Sequence, residues 1–161
     1  MSEGRFPHLG AGGDARMVDV SGKAVTARSA TAAGRVLLST ECVAALRDGT
    51  VPKGDALAVA RIAGIQAAKK TPDLIPLCHP LFISGVDVAT AVTDDGVEIT
   101  ATVKTTDRTG VEMEALTAVA VAGLAVIDMI KAIDRAAVIS DVRVLSKSGG
   151  RRGDWSREGD S

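Results

Sequence analysis

Between Val86 and Val103 apolar side chains recur at every second position, the spacing that turns one face of a strand toward a core. Val86, Val88 and Val92 share a side of the first run. After Asp94-Asp95-Gly96, the residues Val97, Ile99, Ala101 and Val103 share a face of the second, so the pair predicts an antiparallel hairpin with one apolar side. On either side of the hairpin the period lengthens to that of helices. Ser39 caps a helix through Arg47, with Glu41 in the first turn, where the helix dipole favours an acid, and Gly49 just past the end. Asp55 caps a second, alanine-rich helix carrying Leu57, Val59, Ile62 and Ile65, and Pro72 is expected to stop it. Thr109-Gly-Val-Glu112 has the form of a capping box and opens the longest helix, which is expected to run to about Asp134. A final strand, Val138 to Leu145, leads into Ser146-Lys-Ser-Gly-Gly150.

The front of the body is less periodic. Met17 to Val20 and the stretch around Val36 to Leu38 read as short strands, whereas Ala27 to Gly34 is small and polar and matches neither template. Two helices, a hairpin, a helix and a strand predict an α+β fold: an antiparallel sheet of the ferredoxin-like kind packed against helices. From Ala115 to Ile127 the longest helix carries no charge, yet this run falls short of the roughly 20 residues that cross a bilayer. A helix apolar on every side is not satisfied by one sheet face, so its far side is expected to pack on a second subunit. Glycine, proline and charge mark residues 1–15 as a flexible arm and residues 151–161 as a flexible tail, leaving 16–150 as a single domain.

Composition narrows the function. The chain of 161 residues is 46% hydrophobic, enough for one globular core. Nineteen basic and twenty acidic residues leave a net charge of -1, so no chain-wide positive field favours nucleic acid or an anionic membrane. Aromatic residues make up 2% with no tyrosine, which removes base-stacking platforms and makes the core aliphatic. Met1 to Gly13 has no apolar run, so neither a secretory signal nor an anchor is expected and the cytoplasm is the expected location. Cys42 and Cys78 are too few for a disulfide framework and do not stand at zinc-ligand spacing with the two histidines, so no metal and no cofactor is expected.

Candidate chemistry begins beside the apolar helix. Asp128 and Lys131, three apart, face one spot: an ordinary ion pair closing a helix, or, at a desolvated subunit junction, a proton-transfer pair. Glu112 is explained by capping; Glu114 is not. Glu114 precedes Asp128 by fourteen residues, nearly four turns, so the two share a side of the helix but stand roughly 21 Å apart. Two antiparallel copies would bring Glu114 of one chain near Asp128 of the other; a single-copy site with an extended ligand also fits. Thr71 to Pro80 holds three prolines in ten residues, a stiff loop that presents Leu77, Cys78 and His79 with little entropy to lose, although a histidine there also serves structure alone. His8, in the arm, reads as solvent-facing. Lys53 precedes the second helix where its ammonium and free amides suit an anion, and Lys69 ends that helix where the dipole favours a cation regardless of function. Lys147 with Gly149-Gly150 suits a phosphate but is also ordinary near a terminus. No Walker motif, Gly-x-Gly-x-x-Gly turn or His-Glu-x-x-His helix is present.

Met17-Val-Asp-Val-Ser21, Pro52-Lys-Gly-Asp55, Ala60-Arg-Ile-Ala-Gly64, Thr71 to Pro80, Thr109 to Thr117 and Lys147-Ser-Gly-Gly150 together resemble the cyclic pyranopterin monophosphate synthase family, in order and at its spacing from about residue 16 to residue 150. The resemblance implies a lyase of molybdenum-cofactor biosynthesis that turns a cyclised dihydro-GTP, its ribose bonded to carbon eight, into a cyclic-phosphate pyranopterin and diphosphate. It also implies a homohexamer, a trimer of dimers with sites at dimer interfaces, and no redox cofactor. By the same resemblance Asp128, Lys131 and Lys53 transfer protons, while Leu77, Cys78, His79, Glu112, Met113 and Glu114 bind substrate. Arg28, Lys69 and Lys147 are implied around its phosphates. Ile127 and Ile130 are aliphatic where the family usually has an aromatic or polar residue and a cysteine; they read as packing positions. A non-enzymatic ferredoxin-like module that binds a small ligand for regulation is the competing class, and it has no use for Lys53.

Overall fold

The computed structural model describes residues 9–160. His8 and the first eight residues of the expected arm lie outside them. The elements run β1 (Thr26–Leu37), α1 (Thr40–Asp48), α2 (Ala56–Lys69), α3 (Thr71–Leu74), β2 (Ile83–Thr93), β3 (Gly96–Asp107), α4 (Glu112–Ile130), β4 (Val138–Ser148) and β5 (Trp155–Ser156). The sheet order is β2-β3-β1-β4-β5, antiparallel throughout. The first four strands, read from β4, give the order 4-1-3-2 around a βαββαβ chain path, the split arrangement of the ferredoxin-like fold.

The central strand comes from the segment that matches no periodic template. Thr26–Leu37 buries Ala30, Ala32, Gly34 and Val36 on one face and pairs on both edges, with β3 and β4. Its alternation is real but written in alanine and glycine, whose small side chains give a weak hydropathy signal. Met17 to Val20, expected as a strand, has no strand pairing; Val18 and Val20 line a cavity instead. The hairpin forms as expected, with Val97, Ile99, Ala101 and Val103 fully buried.

Helix termini follow the sequence in part. Ser39 accepts from the Cys42 amide and Gly49 ends α1 in the left-handed region, while Asp55 accepts from the Ala58 amide to start α2. Pro72 does not serve as a stop. Helix α2 ends at Lys69, and Pro72 sits in the first turn of α3, where its missing N–H is no loss. The expected capping box at Thr109 is absent: α4 starts at Glu112 with Val111 at its cap and no side-chain cap bond. Helix α4 ends at Ile130, short of Asp134, and β4 continues to Ser148, past Leu145.

Helix α4 is long and apolar enough to cross a membrane by length and composition, but ten of its nineteen residues are buried on β1, β3, β4 and α2. It is the core helix. Close approach is made possible by glycine on two of these neighbours, β1 and α2. A Cβ on Gly34 of β1 would stand 2.7 Å from Val119 Cγ1 and 3.1 Å from Val142 Cγ2, and one on Gly64 of α2 would stand 3.0 Å from the Ala118 carbonyl oxygen. Opposite Gly34 the β1–β4 register slips, with Asp141 in the left-handed region at φ 57°. Trp155 and Ser156, in the segment assigned to a tail, pair with Lys147 and Ser146, and Asp160 is held by two hydrogen bonds from Arg143. On the outside of the helical layer Val59, Ile62, Met113 and Leu124 remain exposed.

Because the Gly34 clash involves a core valine on a helix fixed from two sides, Gly34→Ala overpacks the sheet–helix junction by about 1–3 kcal/mol. Thermal unfolding should show a melting temperature lower by several degrees, at about 2–4 °C per kcal/mol for a chain of this size. An unchanged value would mean that α4 sits less tightly on β1.

Candidate functional site

Helices α2 and α4 pack antiparallel, so the expected site residues separate to opposite ends of the pair. At the end where α4 begins, the stiff loop after α3 meets the first turn of α4. Leu77, Cys78 and His79 from the loop and Glu112, Met113 and Glu114 from the helix line one cavity of about 260 Å³. Val18, Val20 and Lys23 close it from the chain's front segment, and Leu81, Thr109 and Gly110 complete it. His79 holds that front segment in place: its Nε2 lies 2.5 Å from the Val18 carbonyl oxygen. A carbonyl only accepts, so Nε2 carries the proton and, in the neutral ring, Nδ1 is left as an acceptor.

Two cations stand at the same end on neighbouring strands. Lys147 on β4 lies 3.6 Å from a Glu112 oxygen, and Arg28 on β1 donates from Nε to the Asp107 carbonyl at 3.2 Å. The Arg28 guanidinium lies against the backbone of Gly150, where a Cβ would come within 2.4 Å of it and where φ is 81°. Glycine is therefore favoured there by conformation, while a Cβ would only push the flexible end of Arg28 aside. Lys69, exposed in the last turn of α2, belongs to this end of the helix pair as well.

Glu114 is the most perturbed group of this cluster. It is 3% exposed, and burial, opposed in part by its own backbone amide and reinforced by the Glu112 charge, raises its pKa to about 7. Burial, and then the charge of Glu114, also raise the Cys78 thiol. Cys78 is thus a thiol rather than a thiolate at neutral pH and offers shape and a weak donor, not a nucleophile.

The second cluster occupies the other end. Lys131, immediately after α4, donates to Asp128 Oδ1 at 2.8 Å, and Lys53 reaches the same oxygen at 3.4 Å and the Asp128 carbonyl at 3.0 Å. Lys53 is aimed there by the turn Pro52 to Gly54, which closes through the Gly54 amide on the Val51 carbonyl and needs the φ of 112° at Gly54. The ammonium also serves one of the carbonyls left open at a helix C-terminus. The Lys131 hydrogen bond, then its charge, then Lys53 hold the Asp128 carboxyl below the usual range. Two ammonium groups around one exposed carboxylate form a solvent-facing ion cluster with net positive charge.

One chain therefore carries its candidate site residues in two separate clusters. The single-helix spacing of roughly 21 Å between Glu114 and Asp128 is kept, since α4 is continuous from Glu112 to Ile130. Lys23 escaped the sequence reading because nothing in Ser21-Gly-Lys23 distinguishes it from a turn lysine; only the fold carries it to the cavity wall. Among the described residues no group of three or more histidine, cysteine, aspartate or glutamate side chains stands close enough to hold a metal ion.

A family model described as the MoaC family matches residues 17–150. The chain belongs to the MoaC family. Relatives agree over nearly the full length. A protein of Streptomyces avermitilis named cyclic pyranopterin monophosphate synthase is 68% identical over 156 residues, spanning 97% of this chain and 92% of that protein. One of Nocardioides sp. with the same name is 68% identical over 95% of this chain and 96% of its own length. A Mycobacterium tuberculosis protein named cyclic pyranopterin monophosphate synthase 2 is 59% identical over 96% of this chain and 92% of its own. Both clusters of this MoaC-family chain, from Lys23 through Lys147, fall within the matched residues.

A raised carboxyl pKa reverses the usual sign of acid linkage. Below pH 4.5 Glu114 is protonated folded and unfolded alike; between 4.5 and about 7 only the folded state keeps the proton, so stability falls as pH rises, and it levels off above about 7. The slope contributed is about 1.4 kcal/mol per pH unit. Glu114→Gln, which mimics the neutral acid, should melt several degrees higher than the parent at pH 8 and equally at pH 4; the reverse order would place the carboxyl in water.

Proposed function

We propose that the chain is a cyclic pyranopterin monophosphate synthase, a phosphorus-oxygen lyase of molybdenum-cofactor biosynthesis that converts a cyclised dihydro-GTP into the cyclic-phosphate pyranopterin and diphosphate. The observation that carries the reading is the division of its site residues into a binding half and a proton-transfer half, inside a chain 68% identical to proteins named for that reaction. The cavity at the start of α4 offers a shaped wall from Leu77 to His79 and hydrogen-bonding groups at Glu112 and Glu114 for a purine-derived ring system. Arg28, Lys147 and Lys69 gather near the same end and suit a triphosphate. Ring opening and reclosure need groups that give and take protons, and the set of Lys53, Asp128 and Lys131 is arranged for that work. No step of this chemistry changes oxidation state, so a redox cofactor has no role in it.

The two halves are proposed to meet across a dimer. An α4 helix packed antiparallel on its copy brings Glu114 of one chain to Asp128 of the other, because the same 21 Å spacing, roughly four turns, is traversed in opposite directions. The exposed apolar side chains Val59, Ile62, Met113 and Leu124 give the helical layer a surface to bury in that contact. Three such dimers make the homohexamer that the family resemblance implies. The proposed location is the cytoplasm, supported by two unpaired cysteines, one of them fully buried.

Two experiments decide these proposals. Purified protein given the cyclised dihydro-GTP should release diphosphate, and Lys131→Ala, folded and equally oligomeric, should lose at least about 100-fold in kcat. Release by neither protein would favour a binding module; equal release would remove Lys131 from the chemistry. If the site is shared, Glu114→Ala and Asp128→Ala should each be inactive alone, whereas dissociating and reassembling them together should restore a fraction of activity through dimers holding one intact site. No recovery would place each site within one chain.

A further inference from the structure

Helix α4 ends without the glycine that usually closes a helix. Lys131 follows it in right-handed conformation, and the chain runs on through a turn to β4 in which Ile133 and Asp134 both bond back to the Ile130 carbonyl. A terminus of that kind frays unless something outside it holds it. Here the holding group is the Asp134 side chain, half-buried at the foot of the turn. Its Oδ2 accepts from the Ser39 amide at 2.7 Å, and its Oδ1 accepts from the Ala136 amide at 2.9 Å. The first bond ties the turn to the start of α1, where free amides and the helix dipole favour a carboxylate; the second fixes the way out toward β4. Lys131 lies between this clasp and its own amide bond to the Ile127 carbonyl.

We propose that Asp134 is a positioning residue for the reaction: by clasping Ser39 and Ala136 it fixes the backbone that aims the Lys131 ammonium at Asp128. The proposal rests on the assignment of Lys131 to proton transfer. It does not concern binding, because the cavity formed by the loop Leu77 to His79 and the first turn of α4 lies at the opposite end of the helix, and Asp134 touches neither. Lys53 is aimed from the turn before α2 and does not depend on the clasp. Loss of the clasp therefore loosens one of the two ammonium groups and leaves the other in place.

The test compares Asp134→Ala with Ser39→Ala. The second removes the hydroxyl that caps α1 through the Cys42 amide but keeps the Ser39 backbone N–H and hence the clasp. It serves as a control for simple loosening of the same corner. With the cyclised dihydro-GTP as substrate, Asp134→Ala should lower kcat about 10- to 100-fold with KM within threefold of the parent, the cost expected for a catalytic group displaced by about an ångström. Ser39→Ala should melt lower but keep its kcat. The proposal is overturned if Asp134→Ala keeps its kcat, if Ser39→Ala loses as much, or if KM rises while kcat holds. Should Asp134→Ala not fold, Asp134→Asn keeps the shape and one acceptor oxygen but turns an N–H toward one of the two amides. Its kcat should fall about 3- to 10-fold at unchanged KM, and a parent-like kcat overturns the proposal. Lys131→Ala run beside them separates the levels: if it is inactive while the Asp134 variants are unimpaired, only the clasp is wrong, and if it is fully active, the role of Lys131 falls and the clasp with it.

Discussion

The whole molecule is arranged around the burial of one aliphatic helix. With aromatic residues at 2%, the core has no large side chains to bridge distance, so apolar area can be removed from water only by bringing backbones close together. Helix α4 meets β1 at Gly34 and α2 at Gly64, and its own Gly123 lies 3.3 Å, measured from an added Cβ, from Ile139 of β4. Glycine and alanine at these crossings are what let valine and isoleucine fill the space between. The bulge at Asp141 lets β4 follow the tight junction.

That packing also places the chemistry. Because α4 is buried and continuous, it works as a ruler: Glu112 to Glu114 are fixed at one end and Asp128 with Lys131 at the other. Antiparallel α2 brings Lys53 to the second end and Lys69 to the first. The polar groups differ in environment accordingly. Glu114 is covered and its carboxyl keeps its proton to about pH 7, whereas Asp128 is exposed and held ionised by two lysines. A neutral acid at one end and a charged set at the other give two distinct chemical tools on one helix.

Much of this was legible in the chain. The hairpin stood out because valine and isoleucine alternate at strict period two, and the starts of α1 and α2 because Ser39 and Asp55 do what caps do. The likeness of the site motifs to one family agreed with a family match over residues 17–150. Three features misled. Thr109 has the spacing of a capping box, yet Val111 takes the cap position and Glu112 lies by Lys147 instead, a long-range ion pair that no local pattern announces. Met17 to Val20 alternates like a strand but pairs with none: the His79 ring holds the Val18 carbonyl, and Val18 and Val20 line the cavity instead. Of the central strand only the end around Val36 was read, since Ala27 to Gly34 carries almost no hydropathy contrast.

Sequence by itself determined the aliphatic core, the alternation of helices with an antiparallel hairpin, and the residue types from which acid-base chemistry can be built. These are local properties: period, caps, charge and the absence of aromatic rings act over a few residues and need no knowledge of the fold. Tertiary structure alone decided that Ala27 to Gly34 is the middle of the sheet, that Lys23 joins the cavity of His79 and Glu114, that Lys53 reaches Asp128 across 75 positions of the chain, and that Asp134 clasps Ser39 across 95. Each of those depends on which small residues allow two backbones to approach, a pairwise property of distant positions that no single stretch of sequence contains.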